Sequence, residues 1–230
     1  MKQIIKKAIR RIGQLAVPNN VQNLKLEMQR ISAKSTAEFI IKEMSLVQSV
    51  SRWDAVHNLA SEYVTVDGLI LEFGVFSART TNHIANLFPE KKIHGFDSFE
   101  GLPEAWRDGF DKSRFAVSNL PEVQENVVLH KGWFDESIPK FLSEIESVEK
   151  IGYLHIDCDL YSSTKTIFDC LKHLLVDGSV IVFDEYFNYP GWEQGEHLAF
   201  QEFLSESGFQ FDWITYNYLH EQVAVRLKRE

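Results

Sequence analysis

Two short strings hold most of the side chains that could do chemistry, His155-Ile156-Asp157-Cys158-Asp159-Leu160-Tyr161 and Phe183-Asp184-Glu185-Tyr186. Each closes an apolar run that reads as a buried strand. In an extended chain Asp157 and Asp159 are two residues apart and share a face. Carboxylates gathered at neighbouring strand ends repel one another unless something positive compensates them. A hard divalent cation such as Mg²⁺, which takes oxygen ligands, would do so. Pairing with Arg79 or Lys165, or simple splaying into water, is the plainer alternative. His155-x-Asp157 together with His197 or His220 also has the make-up of a non-haem iron(II) triad. That triad normally belongs to an antiparallel barrel, and this chain alternates strand and helix.

A second group surrounds Gly74, in Leu71-Glu72-Phe73-Gly74-Val75-Phe76-Ser77-Ala78-Arg79. Gly74 allows a sharp strand-to-helix turn and close approach of a ligand to the backbone. The further glycines of a dinucleotide fingerprint are missing, which weakens a pyrophosphate cofactor and suits a donor without phosphate. Asp97 follows the next strand, 23 residues after Gly74, where a carboxylate can accept the ribose hydroxyls of an adenosine ligand; a turn-capping role through Ser98 competes. After the third strand, His130-Lys131-Gly132-Trp133-Phe134-Asp135 could set backbone and an aromatic ring against adenine.

These residues need a scaffold that brings strand ends together. Apolar runs at 69–73, 92–96, 127–130, 153–156 and 179–183 are mostly separated by helical patterns at about 78–87, 136–147, 163–175 and 196–206. Short buried strands alternating with helices imply βαβ units, a parallel sheet and ligands at the strands' carboxyl ends. Runs at 209–216 and 219–227 read as an antiparallel edge hairpin. The expected fold class is therefore α/β, a doubly wound, mostly parallel, seven-stranded Rossmann-like sheet with a C-terminal antiparallel hairpin and N-terminal helices. Ser35-Thr36-Ala37-Glu38 reads as a capping box, and Ser51 with Asp54 as another helix start. Domain organisation is expected as a helical appendage over 1–50, for oligomer or substrate contact, and a catalytic domain over 51–230.

The 230 residues carry a net charge of −9, the wrong sign for a phosphate-neutralising partner of nucleic acid. Residues 1–17 oppose that trend, with five cations, no acid and apolar residues at helical spacing. The segment reads as a basic amphipathic helix for a subunit contact, for a membrane surface, or for the acidic body of the chain. A homo-oligomer is the expectation. Two cysteines, Cys158 and Cys170, cannot staple a scaffold, and with no transmembrane segment a cytoplasmic location is expected. Cys158 is expected as a small core residue on the face opposite the acids. His197 reads as a solvated helix residue or one aimed into the site.

The strings LEFGVFSART, Phe96-Asp97-Ser98-Phe99-Glu100-Gly101-Leu102-Pro103-Glu104, and HIDCDLYSST followed by FDEY resemble those of the macrocin O-methyltransferase (TylF-like) family of class I methyltransferases. The resemblance covers about residues 53–228. It implies Mg²⁺-dependent methylation of hydroxyls on natural-product sugars with S-adenosylmethionine. It implies Asp157, Asp184 and Glu185 as metal ligands and Asp159 as general base. Glu72 and Gly74 would lie by the donor's methionine part, with Asp97 on the ribose and Ser98 nearby; Ser77, Gly132, Trp133 and Asp157 are further candidates for the donor site. Two departures stand out: Ser77-Ala78 replaces the usual glycine, and Glu185 replaces a common second aspartate. The expected activity is O-methyl transfer to a small-molecule hydroxyl. A donor-binding partner protein without catalysis is the alternative, and the iron(II) oxygenase a weaker one. Aromatic residues in 98–126 (Trp106, Phe110, Phe115) and after the fifth strand (Tyr186, Phe187, Tyr189, Trp192) would form a lid and stacking wall or a packed loop core.

Overall fold

The computed structural model describes residues 23–145 and 149–229. The basic segment 1–17 lies outside the described residues. Alternation within the strands decides the layering. In β2 (Leu69–Phe73) Ile70 faces one side, while Leu71 and Phe73 face the other. The same period of two divides β5 (Ile151–Ile156), with Tyr153 on the first side and Leu154 and Ile156 on the second. Both faces are apolar, so both must be covered. α2 (Trp53–Glu62) and α3 (Arg79–Leu87) cover the first through Val56, Ala60, Ile84 and Ala85. α4 (Phe134–Glu144), α5 (Tyr161–Leu171) and α6 (Glu196–Ser207) cover the second through Phe141, Ile167, Phe168 and Phe203. Each fully buried side chain of this size stabilises the fold by about 1.5–3 kcal/mol.

With β1 (Gln48–Val50), β3 (Ile93–Asp97), β4 (Val127–Lys131), β6 (Val180–Phe183), β7 (Gln210–Asn217) and β8 (Val223–Lys228), the strands form one sheet in the order β1-β7-β8-β6-β5-β2-β3-β4. β2 to β6 run parallel, and β8 is antiparallel to both β6 and β7. The α/β doubly wound fold and its C-terminal hairpin are as the sequence implies.

Among the described residues there are eight strands rather than seven. β1 (Gln48–Val50) pairs parallel with β7 at the edge, and three residues are too few for an apolar alternation to register. The boundary at residue 50 therefore falls at the end of a sheet strand. Ser35–Glu38 starts no helix. It lies inside α1 (Leu24–Glu43), which begins at Asn23, whose side chain accepts from Leu26 N at 3.3 Å. Ser35 and Thr36 instead face the 3₁₀ turn Trp192–Gln194 and its approach, accepting from Trp192 Nε1 at 3.0 Å and Asn188 N at 2.9 Å. α2 starts after Arg52 with no side-chain cap, because Asp54 binds the Arg52 guanidinium at 2.8 Å.

Candidate active site

The turn from β2 to α3 builds the first wall. Gly74 has φ 99°, and the non-glycine residues Phe76 and Ala78 also lie in the left-handed region, at 46° and 58°. The chain thus keeps the turn that glycines usually serve. Asp97, at the tip of β3, holds it there. One carboxylate oxygen accepts from Val75 N and Phe76 N, both at 2.8 Å, and the other from Phe99 N at 2.6 Å. Asp97 is thus a brace for the turn and also a wall of the cavity beside it. Ser98 closes a local turn, donating to Gly101 O and accepting from Glu100 N, both at 3.0 Å.

The cavity has a volume of about 560 Å³, the size range of small-molecule sites. Gly74, Asp97, Ser98, Trp133, Asp157, Cys158 and Asp159 lie on its wall, with Phe76 and Phe115. Glu72, Ser77, Gly132, Asp184 and Glu185 are not among the lining residues. Glu72 is fully buried, with an oxygen 3.1 Å from His155 Nδ1; His155 belongs with His57 and Tyr153, which pair at 2.6 Å in the core beneath α2. Ser77 is exposed, and Gly132 N donates to Asp97 O at 3.0 Å. Cys158 is buried as expected but lies on the cavity wall, its sulfur 3.4 Å from Thr164 Oγ1, and burial pushes its thiol up.

The acids converge from the tips of β5 and β6. A nitrogen of His155 and oxygens of Asp157 and Asp184 lie within 4.8 Å of one another. Burial, then the charge of Asp184, raises the Asp157 carboxyl well above its ordinary value. Glu185 lies outside that trio. Burial raises it strongly, and Glu185 Oε2 has no hydrogen-bond partner among the described residues. Asp159 has φ 64° and is 5% exposed. Burial pushes its carboxyl up to about 7, against the pull of Arg107. A non-glycine residue held in that conformation stores about 1–3 kcal/mol of strain, a feature concentrated at working sites.

Neither Arg79 nor Lys165 compensates these acids. Arg79 lies over Trp53 at 4.4 Å and Lys165 bonds Asp169. Two aspartates within one reach, a histidine nitrogen beside them and an orphaned glutamate oxygen fit a hard divalent cation, which commonly keeps water beside one or two carboxylates.

Three residues escaped the sequence reading. Glu196, fully buried at the start of α6, accepts from Glu185 N at 3.2 Å. Gln222 donates to Asp184 Oδ1 at 3.0 Å. Arg107 stacks on Trp106 at 3.8 Å, faces Phe110 and Tyr189, and pairs with Glu221 at 3.2 Å. The segment 98–126 is anchored by this cluster and by Ser162 donating to Glu104 at 2.7 Å. Phe115 leaves it to meet Phe76 at 5.3 Å on the cavity wall, whereas Tyr186, Phe187 and Trp192 belong to the main core. His197 is half-buried and is not on the cavity wall. Its ring packs among Phe39, Tyr186 and Trp192 at 5.0–5.5 Å, and burial holds it down at about 4. Among the described residues neither His197 nor the exposed His220 joins His155 and Asp157, and the sheet is mostly parallel, so the iron(II) triad has no footing.

Among solved structures, CalS11, described as a calicheamicin methyltransferase, is 23% identical with a TM-score of 0.59, over 90% of this chain and 94% of its own. The O-methyltransferase NovP is 21% identical with a TM-score of 0.57, over 76% and 80%. An O-methyltransferase from Bacillus cereus, in complex with SAH, is 13% identical with a TM-score of 0.50, over 96% of each. At such identities these likenesses speak for the fold. No curated protein matches the chain. The methyltransferase domain family matches residues 71–186, about half of the chain, from the strand before Gly74 to the acids after β6. The chain therefore belongs to the methyltransferase domain family and is an S-adenosylmethionine-dependent methyltransferase.

Proposed function

We propose that this methyltransferase acts on oxygen, transferring methyl to a hydroxyl of a small molecule, with Asp159 as general base and a divalent cation held by Asp157 and Asp184. The observation that carries the reading is the placement of Asp159 on the cavity wall, buried and held at about 7, directly after the Asp157 strand tip. A sugar hydroxyl is the acceptor we favour. The macrocin-type strings imply it, and CalS11 is described as a TDP-rhamnose 3'-O-methyltransferase.

When bound, S-adenosylmethionine supplies the methyl group from its sulfonium by in-line displacement, and Mg²⁺ supplies positive charge that favours loss of the hydroxyl proton. Gly74, Ser98, Trp133 and the Asp97-braced turn would hold the donor. Asp157, Asp184 and His155 are the side chains able to hold the cation, with Glu185 a further oxygen nearby. Asp159 takes the hydroxyl proton, and its carboxyl near neutrality suits a base working at physiological pH. The aromatic pair Phe76 and Phe115 offers a stacking surface on one side of the cavity.

The test is Asp159→Asn. Binding of S-adenosylhomocysteine and of Mn²⁺ should persist while methyl transfer to a hydroxyl acceptor falls about 10²–10⁴-fold. Turnover close to wild type would remove Asp159 from the base role. Donor binding without any transfer by the wild-type chain, across an acceptor panel of sugars and phenols, would favour the partner-protein reading.

A further inference from the structure

The antiparallel hairpin, last in the chain, touches the acids through its sheet register. Phe183 is paired with Val223, so the next residues outward, Asp184 and Gln222, stand side by side beyond the tip of β6. Gln222 Nε2 donates to Asp184 Oδ1 at 3.0 Å. The amide is itself fixed: Gln222 Oε1 accepts from Asn217 Nδ2 at 2.8 Å, and Gln222 O accepts from Asn217 N at 2.9 Å. Asn217 Oδ1 accepts from Leu219 N at 3.0 Å, which leaves only the Asn217 NH₂ for Gln222. Asn217 is fully buried and Gln222 7% exposed, so neither amide turns freely in water.

We propose that Gln222 is a positioning residue for divalent-cation binding: its amide pins one oxygen of Asp184, and Asn217 sets which end of that amide faces the carboxylate. The proposal rests on the reading of Asp184 as a cation ligand. A neutral amide suits this task because it restrains rotation of the carboxylate without cancelling its charge, whereas Lys or Arg in its place would compete with the cation. If Asn217 were absent, Gln222 could turn its oxygen toward Asp184, and two acceptors would face each other.

Mn²⁺ binding to the full chain without substrate, followed by calorimetry, tests the relay alongside thermal melting. Gln222→Met keeps the side chain's length and removes the donor; Mn²⁺ affinity should fall about 10–100-fold, the usual cost of losing a residue that orients a ligand. Asn217→Ala, which leaves Gln222 in place, should show a smaller fall in affinity. A lowered melting temperature with wild-type Mn²⁺ affinity in a folded Gln222→Met chain would assign Gln222 a purely structural role and overturn the proposal. If Gln222→Met does not fold, wild-type affinity in Asn217→Ala overturns it instead. Failure of the wild-type chain to bind Mn²⁺ would remove the cation reading itself, and the relay's purpose with it.

Discussion

Gly74 packs so tightly on Asp157 that a Cβ built at Gly74 would overlap the Asp157 carbonyl oxygen. The glycine commonly read as making room for a ligand makes room here for the strand tip that carries the acids. A backbone bond reinforces the contact, Asp157 N to Phe73 O at 2.8 Å, and Gly74 N is tied to β3 through Phe96 O at 2.9 Å. Donor turn and acid turn therefore form one unit, and a shift in either moves both.

Gly74→Ala should accordingly damage folding and donor binding together. The left-handed backbone alone costs a non-glycine residue about 1–3 kcal/mol, before the overlap with Asp157 is counted. Urea denaturation should show a lowered midpoint, and S-adenosylhomocysteine binding should weaken at least tenfold. Unchanged binding would show that the two turns can separate.

Arg107 pulls the Asp159 carboxyl down while burial pushes it up. Removing the cation in Arg107→Gln should let Asp159 rise further, so less base is ionised at neutral pH. The acid limb of the kcat/KM profile should move to higher pH, and Arg107→Lys should return part of that shift through charge alone. Coincident profiles in all three proteins would mean that Arg107 serves only to anchor its segment.

Glu196 accepts the Glu185 N–H and is one of the charges that raise Asp157 and Glu185. Those roles separate on substitution. Glu196→Gln keeps an acceptor and removes a buried acid, so the melting temperature should hold or rise. Glu196→Ala leaves the Glu185 N–H buried without a partner and should cost about 1–3 kcal/mol. Equal losses in the two variants would make the negative charge itself structural.

His94 gives the pH dependence of stability a sign. Burial holds its imidazole at about 4 against an ordinary 6.5, with His130 at 3.0 Å. The unfolded chain then binds the proton more readily, so this contribution is intact above pH 6.5 and is lost as pH falls toward 4. Urea midpoints measured across that window should decline less steeply in His94→Gln. His197, held near the same value, keeps part of the decline in place. Parallel slopes in variant and wild type would discount His94.

The strand ends were legible because most of the apolar runs stop at a charged residue that cannot be buried cheaply, and in a parallel sheet all such ends face one way. Asp97, Asp157 and Asp159 could be placed on one rim from spacing alone, and all three do line the cavity. The role of Asp97 was legible only in part. Its bond from Phe99 N is a local turn cap, whereas those from Val75 N and Phe76 N arise from the approach of the β2–α3 turn, which no local pattern encodes. His197 was misread for a related reason: its cage is completed by Phe39, more than 150 residues earlier in the chain.

The sequence by itself determined which residues must be buried, and through their period the two-faced parallel sheet and the rim bearing the acids. Only the tertiary structure decided how those acids are held. Gln222 reaches Asp184 because antiparallel pairing sets Val223 opposite Phe183, and Glu196 reaches Glu185 because α6 begins beneath the β6 tip. Burial follows from composition along a strand, a local property. Orientation of a carboxylate depends on which distant amide or acid the sheet register brings beside it, and that is settled only when the whole chain packs.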